Sequence, residues 1–450
     1  MEYKLSKCTV MCEDCEWVRL YNSLKGTDSF LMVPKQTFIY LKSKKYESIS
    51  HQNLIHQLVE MGHLIPMSRN EDETIQAEII RQINEPVLRL IIMPTERCSF
   101  RCQYCYEEFK NGKMTEELQK GIIKFVEENL DKYTALDVRW FGGEPLEALD
   151  VIEGLSKEFL AICRAKHKRY ESSITTNGYY LTFENFRRLF SLHVLNYQVT
   201  LDGIRDIHDR QRFLAGNIGT YDRIVSNLLS IKRWCRSQKP FITIRVNLTR
   251  EAIERVDEVI GFFSDNFADD PRFGFSLQRV ADWGGERVEE MKEELVSVNA
   301  YESMLDSLKK NSFKLSLRPH AALFDADNAV CYAARKNSFV IGSEGTVYKC
   351  TADFRMKENN IGKLLENGQM ELNPEKADRW SDAWMKTSQD CRRCAFEGAC
   401  LRNSCPSGIL KGTALPGDCL LEKKYVKQYL RLFDESWFLK WKENESHEST

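Results

Sequence analysis

From Leu88 onward the chain alternates short apolar runs with segments whose apolar positions recur every three or four residues. The runs Leu88 to Met93, Leu136 to Phe141, Ser172 to Thr176, Leu195 to Leu201, Phe241 to Asn247 and Arg272 to Gln278 have the length of buried strands. Helical patterns separate them. The first opens at Thr115, an N-cap residue followed by Glu116 and Glu117, and sets Leu118, Ile122, Val126 and Leu130 on one face. Others centre on Leu155 to Cys163, Phe183 to Phe190, Tyr221 to Trp234, Ile253 to Phe263 and Met291 to Leu308. Six strands alternating with six helices predict an α/β fold, a partial TIM-like (βα)6 barrel.

Residues 1–85 read as a separate unit. A hairpin, Trp17 to Val33, turns around Lys25-Gly26-Thr27-Asp28, and two short helices follow, one after Pro34 and one from about Ser50. The second carries Leu54, Ile55, Leu58 and Val59 at helical spacing, with Gly62 as its C-terminal cap. Arg69 to Thr74 reads as a polar link. Strands plus small helices are the parts of a winged-helix-like domain, which the residues alone read as a packing or capping unit. The pattern therefore divides the chain into 1–85, a barrel at 86–310, a cysteine-rich domain at 311–425, and a C-terminal helix and polar tail at 426–450. In the last segment Trp437, Phe438 and Trp441 are expected to pack.

Charge adds mainly exclusions. The 64 basic and 66 acidic residues leave a net charge of -2, so no global field recruits nucleic acid or an anionic membrane. No apolar run approaches the roughly 20 residues of a membrane span, and Met1 to Lys7 lacks a signal peptide's apolar stretch, which predicts a cytoplasmic protein. Fifteen cysteines, an odd number, disfavour a complete disulfide framework in such a compartment and point to metal or catalysis. They cluster as Cys8, Cys12, Cys15; as Cys98, Cys102, Cys105; and as seven between Cys331 and Cys419. Cys163 and Cys235 stand apart and read as core thiols. The first triplet has no partner loops after it and suits zinc, an extra cluster or no metal at all.

Cys98-x3-Cys102-x2-Cys105 follows the first strand. Three thiolates hold three irons of a 4Fe–4S cluster and leave the fourth without a protein ligand. Further unusual segments fall at the ends of the next three strands, where the active sites of such barrels sit: Gly142-Gly143-Glu144-Pro145, Thr176-Asn177-Gly178 and Thr200-Leu201-Asp202-Gly203. With Tyr104 before the third cysteine and Tyr106 after it, this series resembles the signature of the radical S-adenosylmethionine (SAM) enzymes. The resemblance implies that SAM binds the open iron and is cleaved to a 5′-deoxyadenosyl radical. It further implies that Gly142, Gly143, Glu144 and Pro145 meet the methionine end of SAM and that Tyr104 lies near adenine. Thr176, Thr200, Asp202 and Arg212 would line the pocket, the last within His208-Asp209-x2-Arg212, where its planar fork suits a carboxylate.

Beyond Leu308, Cys331, Gly345, Cys350, Cys391-x2-Cys394-x5-Cys400-x4-Cys405 and Cys419 resemble the SPASM extension of that family, which carries two auxiliary 4Fe–4S clusters. The family's third and fourth cysteines of that run are usually separated by three residues; here Leu401 to Ser404 makes four. One zinc ion needs only four ligands, so seven thiols overfill a zinc ribbon. By position, the resemblance assigns Cys391, Cys394, Cys400 and Cys419 to one cluster. Cys331, Cys350 and Cys405 remain for the other, whose fourth iron would take a substrate thiolate, a water or a different residue.

The resemblance implies three clusters, SAM, a one-electron donor such as flavodoxin or ferredoxin, and a cysteine-containing ribosomal precursor peptide recognised by the N-terminal domain. The expected reaction is thioether crosslinking of a peptide carbon to cysteine sulfur, with an auxiliary cluster accepting the second electron. Carbon–carbon crosslinking and formylglycine formation, as in sulfatase maturation, are the alternatives. The non-enzyme alternative is an iron-sulfur carrier or a zinc-stabilised binding module. No general acid or base is identifiable from spacing.

Overall fold

The computed structural model describes residues 2–13, 17–49, 52–109, 111–234, 240–280, 329–402 and 405–412, with 287, 290–297, 300–301 and 303–304. The expectations for Ser50, Cys15, Cys235, Cys419 and the C-terminal helix with its aromatics lie outside the described residues, as do residues 298, 299, 302 and 305–308; the helix expected from Met291 begins instead with a 3-10 turn at Lys292–Glu294, after which Leu295 is extended at ψ 137°. The chain forms two compact units. One comprises Met1–Asn84, His320–Arg335 and Ser381–Thr450; the other comprises Glu85–Pro319 and Lys336–Trp380.

The first unit begins β1 (Tyr3–Leu5), β2 (Thr9–Glu13), β3 (Trp17–Asn22), β4 (Leu31–Pro34), α1 (Lys35–Lys42), α2 (Gln52–Glu60), β5 (Leu64–Pro66) and α3 (Glu71–Ile83). Strands β2, β3 and β4 form an antiparallel sheet, and β1 pairs with β5. The hairpin expected at Trp17 to Val33 is present, with Leu20 opposite Leu31, and Gly62 closes α2 at φ +76°. Val18, Leu20, Val33, Phe38, Leu41 and Leu58 build the core beneath. Arg69 to Thr74 is not a link. The Asn70 side chain accepts from the Asp72 and Glu73 N–H groups, so Glu71 to Glu73 become the first turn of α3, where acids are favoured. Ile75, Ile79 and Ile83 of α3 then pack with Cys8, Val330, Ala334 and Leu401. Buried Glu397 secures this assembly by accepting from both Lys7 and Arg402.

The second unit runs β6 (Val87–Ile92), α4 (Glu116–Asn129), β7 (Ala135–Trp140), α5 (Leu149–Ala165), β8 (Arg169–Thr176), α6 (Phe183–Ser191), β9 (Val194–Thr200), α7 (Arg205–Gln211), α8 (Tyr221–Lys232), β10 (Phe241–Leu248), α9 (Arg250–Glu254), α10 (Val256–Asn266) and β11 (Phe273–Arg279). It ends with β12 (Ser338–Ile341), β13 (Thr346–Tyr348), β14 (Asn360–Leu364) and β15 (Met370–Leu372). The sheet order is β11-β10-β9-β8-β7-β6-β12-β13-β14-β15, with every pair from β11 to β12 parallel and the rest antiparallel. All six expected strands are present in sequence order, the arrangement of a partial barrel. Every residue of β6 is buried, so its apolar run is broken only by Arg89, which pairs with Asp137 on β7 at 2.6 Å. The helix expected at Ile253 to Phe263 is divided, because Arg255 leaves the helical region at ψ 26° and its guanidinium pairs with Glu258 and Asp206. Cys163 is buried on α5, as expected of a core thiol. No helix among the described residues is long and apolar enough to cross a membrane.

His63 in the first unit is fully buried, its Nε2 2.7 Å from Ser29 O and its Nδ1 3.2 Å from Thr9 Oγ1. Burial holds its pKa down to about 4. Between pH 6.5 and 4 the unfolded chain takes up a proton that the folded chain refuses, so acidification removes stability. His63→Gln lacks that titration. The stability advantage of wild type over this variant in urea unfolding is therefore expected to be about 2 kcal/mol smaller at pH 5 than at pH 7. An advantage independent of pH would refute the assignment.

Candidate active site

The C-terminal ends of β6 to β10 carry the loops that matter. The loop after β6 holds Cys98, Cys102 and Cys105, the second of these buried. It is tied down along its length. The Ser99 N–H donates to Glu147, the Arg101 N–H to Phe213 O and the Gln103 N–H to Gln211 O, while Phe100 bridges to Leu214. Ser343 donates to Glu96 Oε1, joining the same loop to the turn after β12.

The loop after β7 meets this one backbone to backbone. Gly142 and Gly143 take φ +88° and +51°. A Cβ on Gly143 would collide with Arg97 O and stand 2.7 Å from the Glu96 carbonyl carbon. The Gly143 N–H donates to Glu107 Oε2 at 2.7 Å, and the Glu144 N–H to Arg97 O at 2.8 Å. Glu144 is fully buried. Its carboxylate accepts from Thr176 Oγ1, the Asn177 N–H and the Leu146 N–H at 2.7–3.0 Å, which fastens the loops after β7 and β8 together. Burial pushes its pKa up to about 7 against these donors. Pro145 starts the 3-10 turn that Glu144 caps.

At the ends of β9, α7 and β10, three side chains converge on one hydroxyl. Tyr104 donates to Asp202 Oδ2; Arg212 Nη1 and Asn247 Nδ2 donate to the Tyr104 oxygen at 2.7 and 3.0 Å. Asn247 also gives its N–H to Asp202 Oδ1 at 2.8 Å. Behind them, the Asp202 N–H donates to His208 Nδ1, so His208 Nε2 carries the proton and donates to Thr220 Oγ1, which donates to Arg212 O. Burial keeps His208 neutral and raises the pKa of Asp202 against the opposing charge of Arg212. The Arg212 guanidinium lies 5.6 Å from the Phe100 ring. Thr200 is buried at the end of β9.

The sequence-predicted residues Tyr104, Gly142, Gly143, Glu144, Pro145, Thr176, Asp202 and Arg212 thus lie in one contiguous set of loops. Glu107, His208 and Asn247 were not assigned roles from sequence. Asn247 ends the fifth strand, and the same rule that drew attention to the first four strand ends would have found it.

The donor set fits the cofactors implied. Burial raises the pKa of each of the three thiols, Cys105 to about 12, and Cys98 and Cys105 also feel the charge of Cys102; bound iron would reverse that by taking thiolates. Around them Asn177 Nδ2, Arg212 Nε and Ser99 Oγ are buried without a hydrogen-bond partner, which suits a polar ligand. Among the described residues no three His, Cys, Asp or Glu side chains are close enough to share one metal ion; in a 4Fe–4S cluster each thiolate takes its own iron.

Of the later cysteines, Cys350 is in the second unit. Asn359 orders its loop, accepting from the Lys349 and Cys350 N–H groups and donating to Cys350 O and Asp353 O, and the Ala352 N–H points at Cys350 Sγ. Arg355 of that loop pairs with Glu108 of the cluster loop at 2.6 Å. Cys331, Cys391, Cys394, Cys400 and Cys405 belong to the first unit. The Cys394 N–H donates to Cys391 O, Cys400 ends the short helix Glu397–Cys400, and Leu401 and Arg402 take left-handed φ of 48° and 53° before Cys405. Cys8, by contrast, is enclosed among isoleucines with its pKa pushed up to about 12, the environment of a core thiol.

This geometry, thiols after the first parallel strand and a double-glycine loop beside them, is that of a radical SAM domain, and the sequence model of the Radical SAM superfamily matches residues 92–263. The chain thus carries a radical SAM domain, and proteins with this domain use SAM and a 4Fe–4S cluster. Among named relatives, the cysteine-type anaerobic sulfatase-maturating enzyme of Clostridium novyi is 25% identical over 71% of this chain and 87% of its own length. The PqqA peptide cyclase of Bradyrhizobium diazoefficiens is 22% identical over 40% of this chain and 44% of its own. Two solved structures share the fold. One is anSMEcpe with bound AdoMet and peptide, with TM-score 0.54 and 21% identity over 70% of this chain and 88% of its own. The other is Streptococcus suis SuiB bound to the precursor peptide SuiA, with TM-score 0.51 and 15% identity over 93% of this chain and 100% of its own.

Gly143→Ala is expected to cost about 1–3 kcal/mol through the forced contact and to abolish SAM binding. Gly154→Ala, on α5 with only a 3.8 Å contact at its Cβ, is expected to gain roughly 0.5–1 kcal/mol and to bind SAM normally. Urea unfolding and SAM titration check both; equal behaviour of the two variants would refute the close-contact account.

Proposed function

We propose that the chain is a maturase that forms a thioether bond between a cysteine sulfur and a carbon of a ribosomally made precursor peptide. The observation that carries this reading is the Arg355–Glu108 ion pair, which joins the loop of Cys350 to the loop of Cys98, Cys102 and Cys105. A second thiol-bearing segment thereby reaches the edge of the SAM-binding loop. The relatives agree in kind, since those compared above are named for, or bound to, a peptide or a protein to be modified.

In this reading Cys98, Cys102 and Cys105 hold the SAM-binding cluster. Cys331, Cys350, Cys391, Cys394, Cys400, Cys405 and Cys419 hold two auxiliary clusters, and a flavodoxin or ferredoxin delivers electrons. When bound, SAM and its cluster supply the one-electron chemistry that removes hydrogen from an unactivated carbon. The chain's own residues do the positioning. Glu144 locks the second and third loops, and Tyr104, Asp202, Asn247 and Arg212 lock the cluster loop to the fourth and fifth strand ends. Arg212 Nε makes no hydrogen bond and stands 3.9 Å from Asp202 Oδ2. The three-stranded sheet and helices of the first unit suit a leader-reading role.

Formylglycine formation is the second reading, favoured by the extent of the similarity to the sulfatase-maturating enzyme. Co-expression with a cysteine-containing precursor peptide and mass analysis separate them. Thioether formation is expected to give a product two hydrogens lighter whose cysteine resists alkylation. A cysteine converted to an aldehyde that reacts with hydrazides would establish the second reading, and a lighter product with a free thiol would refute thioether formation.

A further inference from the structure

We propose that Glu107 is a positioning residue for SAM: its carboxylate holds the Gly142–Gly143 peptide in the one orientation that leaves the two glycine carbonyls available to the ligand's ammonium group. The inference rests on the reading of Gly142 to Pro145 as the segment that meets the methionine end of SAM.

Two glycines in succession at positive φ form a flexible stretch, because glycine reaches either hand of the Ramachandran map at little steric cost and a peptide plane between two of them rotates easily. Steric exclusion at Gly143 fixes where the chain runs but not which way the peptide between residues 142 and 143 faces. That direction is set by hydrogen bonding. The Gly143 N–H is taken by Glu107 Oε2 at 2.7 Å, and the next N–H, that of Glu144, by Arg97 O at 2.8 Å. In a planar trans peptide the carbonyl points opposite to the N–H. The Gly142 carbonyl is therefore turned away from Glu107 and the Gly143 carbonyl away from Arg97. Among the described residues neither oxygen accepts a hydrogen bond from the protein. Two adjacent carbonyl acceptors match an ammonium group, which has three donors and no acceptor.

Arg97 contributes through its backbone and survives any substitution there. Glu107 contributes through its side chain, two residues past Cys105, and is the replaceable half of the arrangement. If its role is to accept the Gly143 N–H, an amide serves as well as a carboxylate. If its role is charge, an amide fails.

The experiment uses the full chain reconstituted anaerobically, reduced, and titrated with SAM while the EPR signal of the cluster is followed. Iron and sulfide content and the SAM-free signal are expected to be the same in wild type, Glu107→Gln and Glu107→Ala. Half-saturating SAM is expected to stay within about 3-fold of wild type for Glu107→Gln and to rise at least about 10-fold for Glu107→Ala, roughly 1.4 kcal/mol, the worth of one hydrogen bond. Wild-type SAM affinity in Glu107→Ala, equal losses in both variants, or loss of the cluster itself in Glu107→Ala would each overturn the proposal. A wild-type signal indifferent to SAM would overturn it together with the reading on which it rests.

Discussion

Where the loops after β6 and β7 pass each other, the backbone of Gly143 lies against the backbone of Glu96 and Arg97 with no room for a side chain. Most of the site depends on this contact. Because the second loop is pressed against the first, Glu144 is carried inward to where three donors meet its carboxylate, and the third loop is then fixed by those same bonds. A carboxylate so buried is tolerable only when its hydrogen bonds are made. The close approach and the buried acid therefore stabilise one another, and the cysteines of the first loop inherit a defined frame.

β6, β7 and β11 were legible because near-complete burial leaves continuous apolar runs, β8 to β10 because buried positions alternate along them, and the loops because such sheets place chemistry at one end of their strands. What sequence pattern missed depends on partners distant in the chain. Glu71 to Glu73 have the composition of a solvated link, and only the cap at Asn70 with the packing of Ile75, Ile79 and Ile83 makes them a helix. Four-residue β12 is too short for periodicity to reveal, and its register is set by β6. Glu107 and His208 carry no spacing signal, since each acts through a neighbour brought up by the fold. Tyr104 was read for its ring; its hydroxyl turns out to be held by three side chains, two at other strand ends and Arg212 at the end of α7.

The two cysteine triplets of like spacing illustrate how far surroundings outweigh pattern. Cys8 is packed against aliphatic side chains of α3, where a thiolate would be strongly disfavoured. Cys102 sits among groups of both signs, Arg212 and Arg287 opposing Asp202, in a loop held by backbone hydrogen bonds on either side. Spacing is shared; polarity is not.

The parallel pairing of β12 with β6 has a bearing on synthesis. The ribosome delivers β6 early, but the strand that covers its outer side emerges only after the five intervening strands, a delay on the order of tens of seconds. Throughout that interval a strand apolar but for Arg89 presents an open row of peptide groups, the arrangement most prone to pairing with another chain. The nascent protein is thus most exposed to aggregation between completion of its radical SAM core and arrival of Ser338, and a chain cut short in that window would retain the loops of the site on a sheet with one side uncovered.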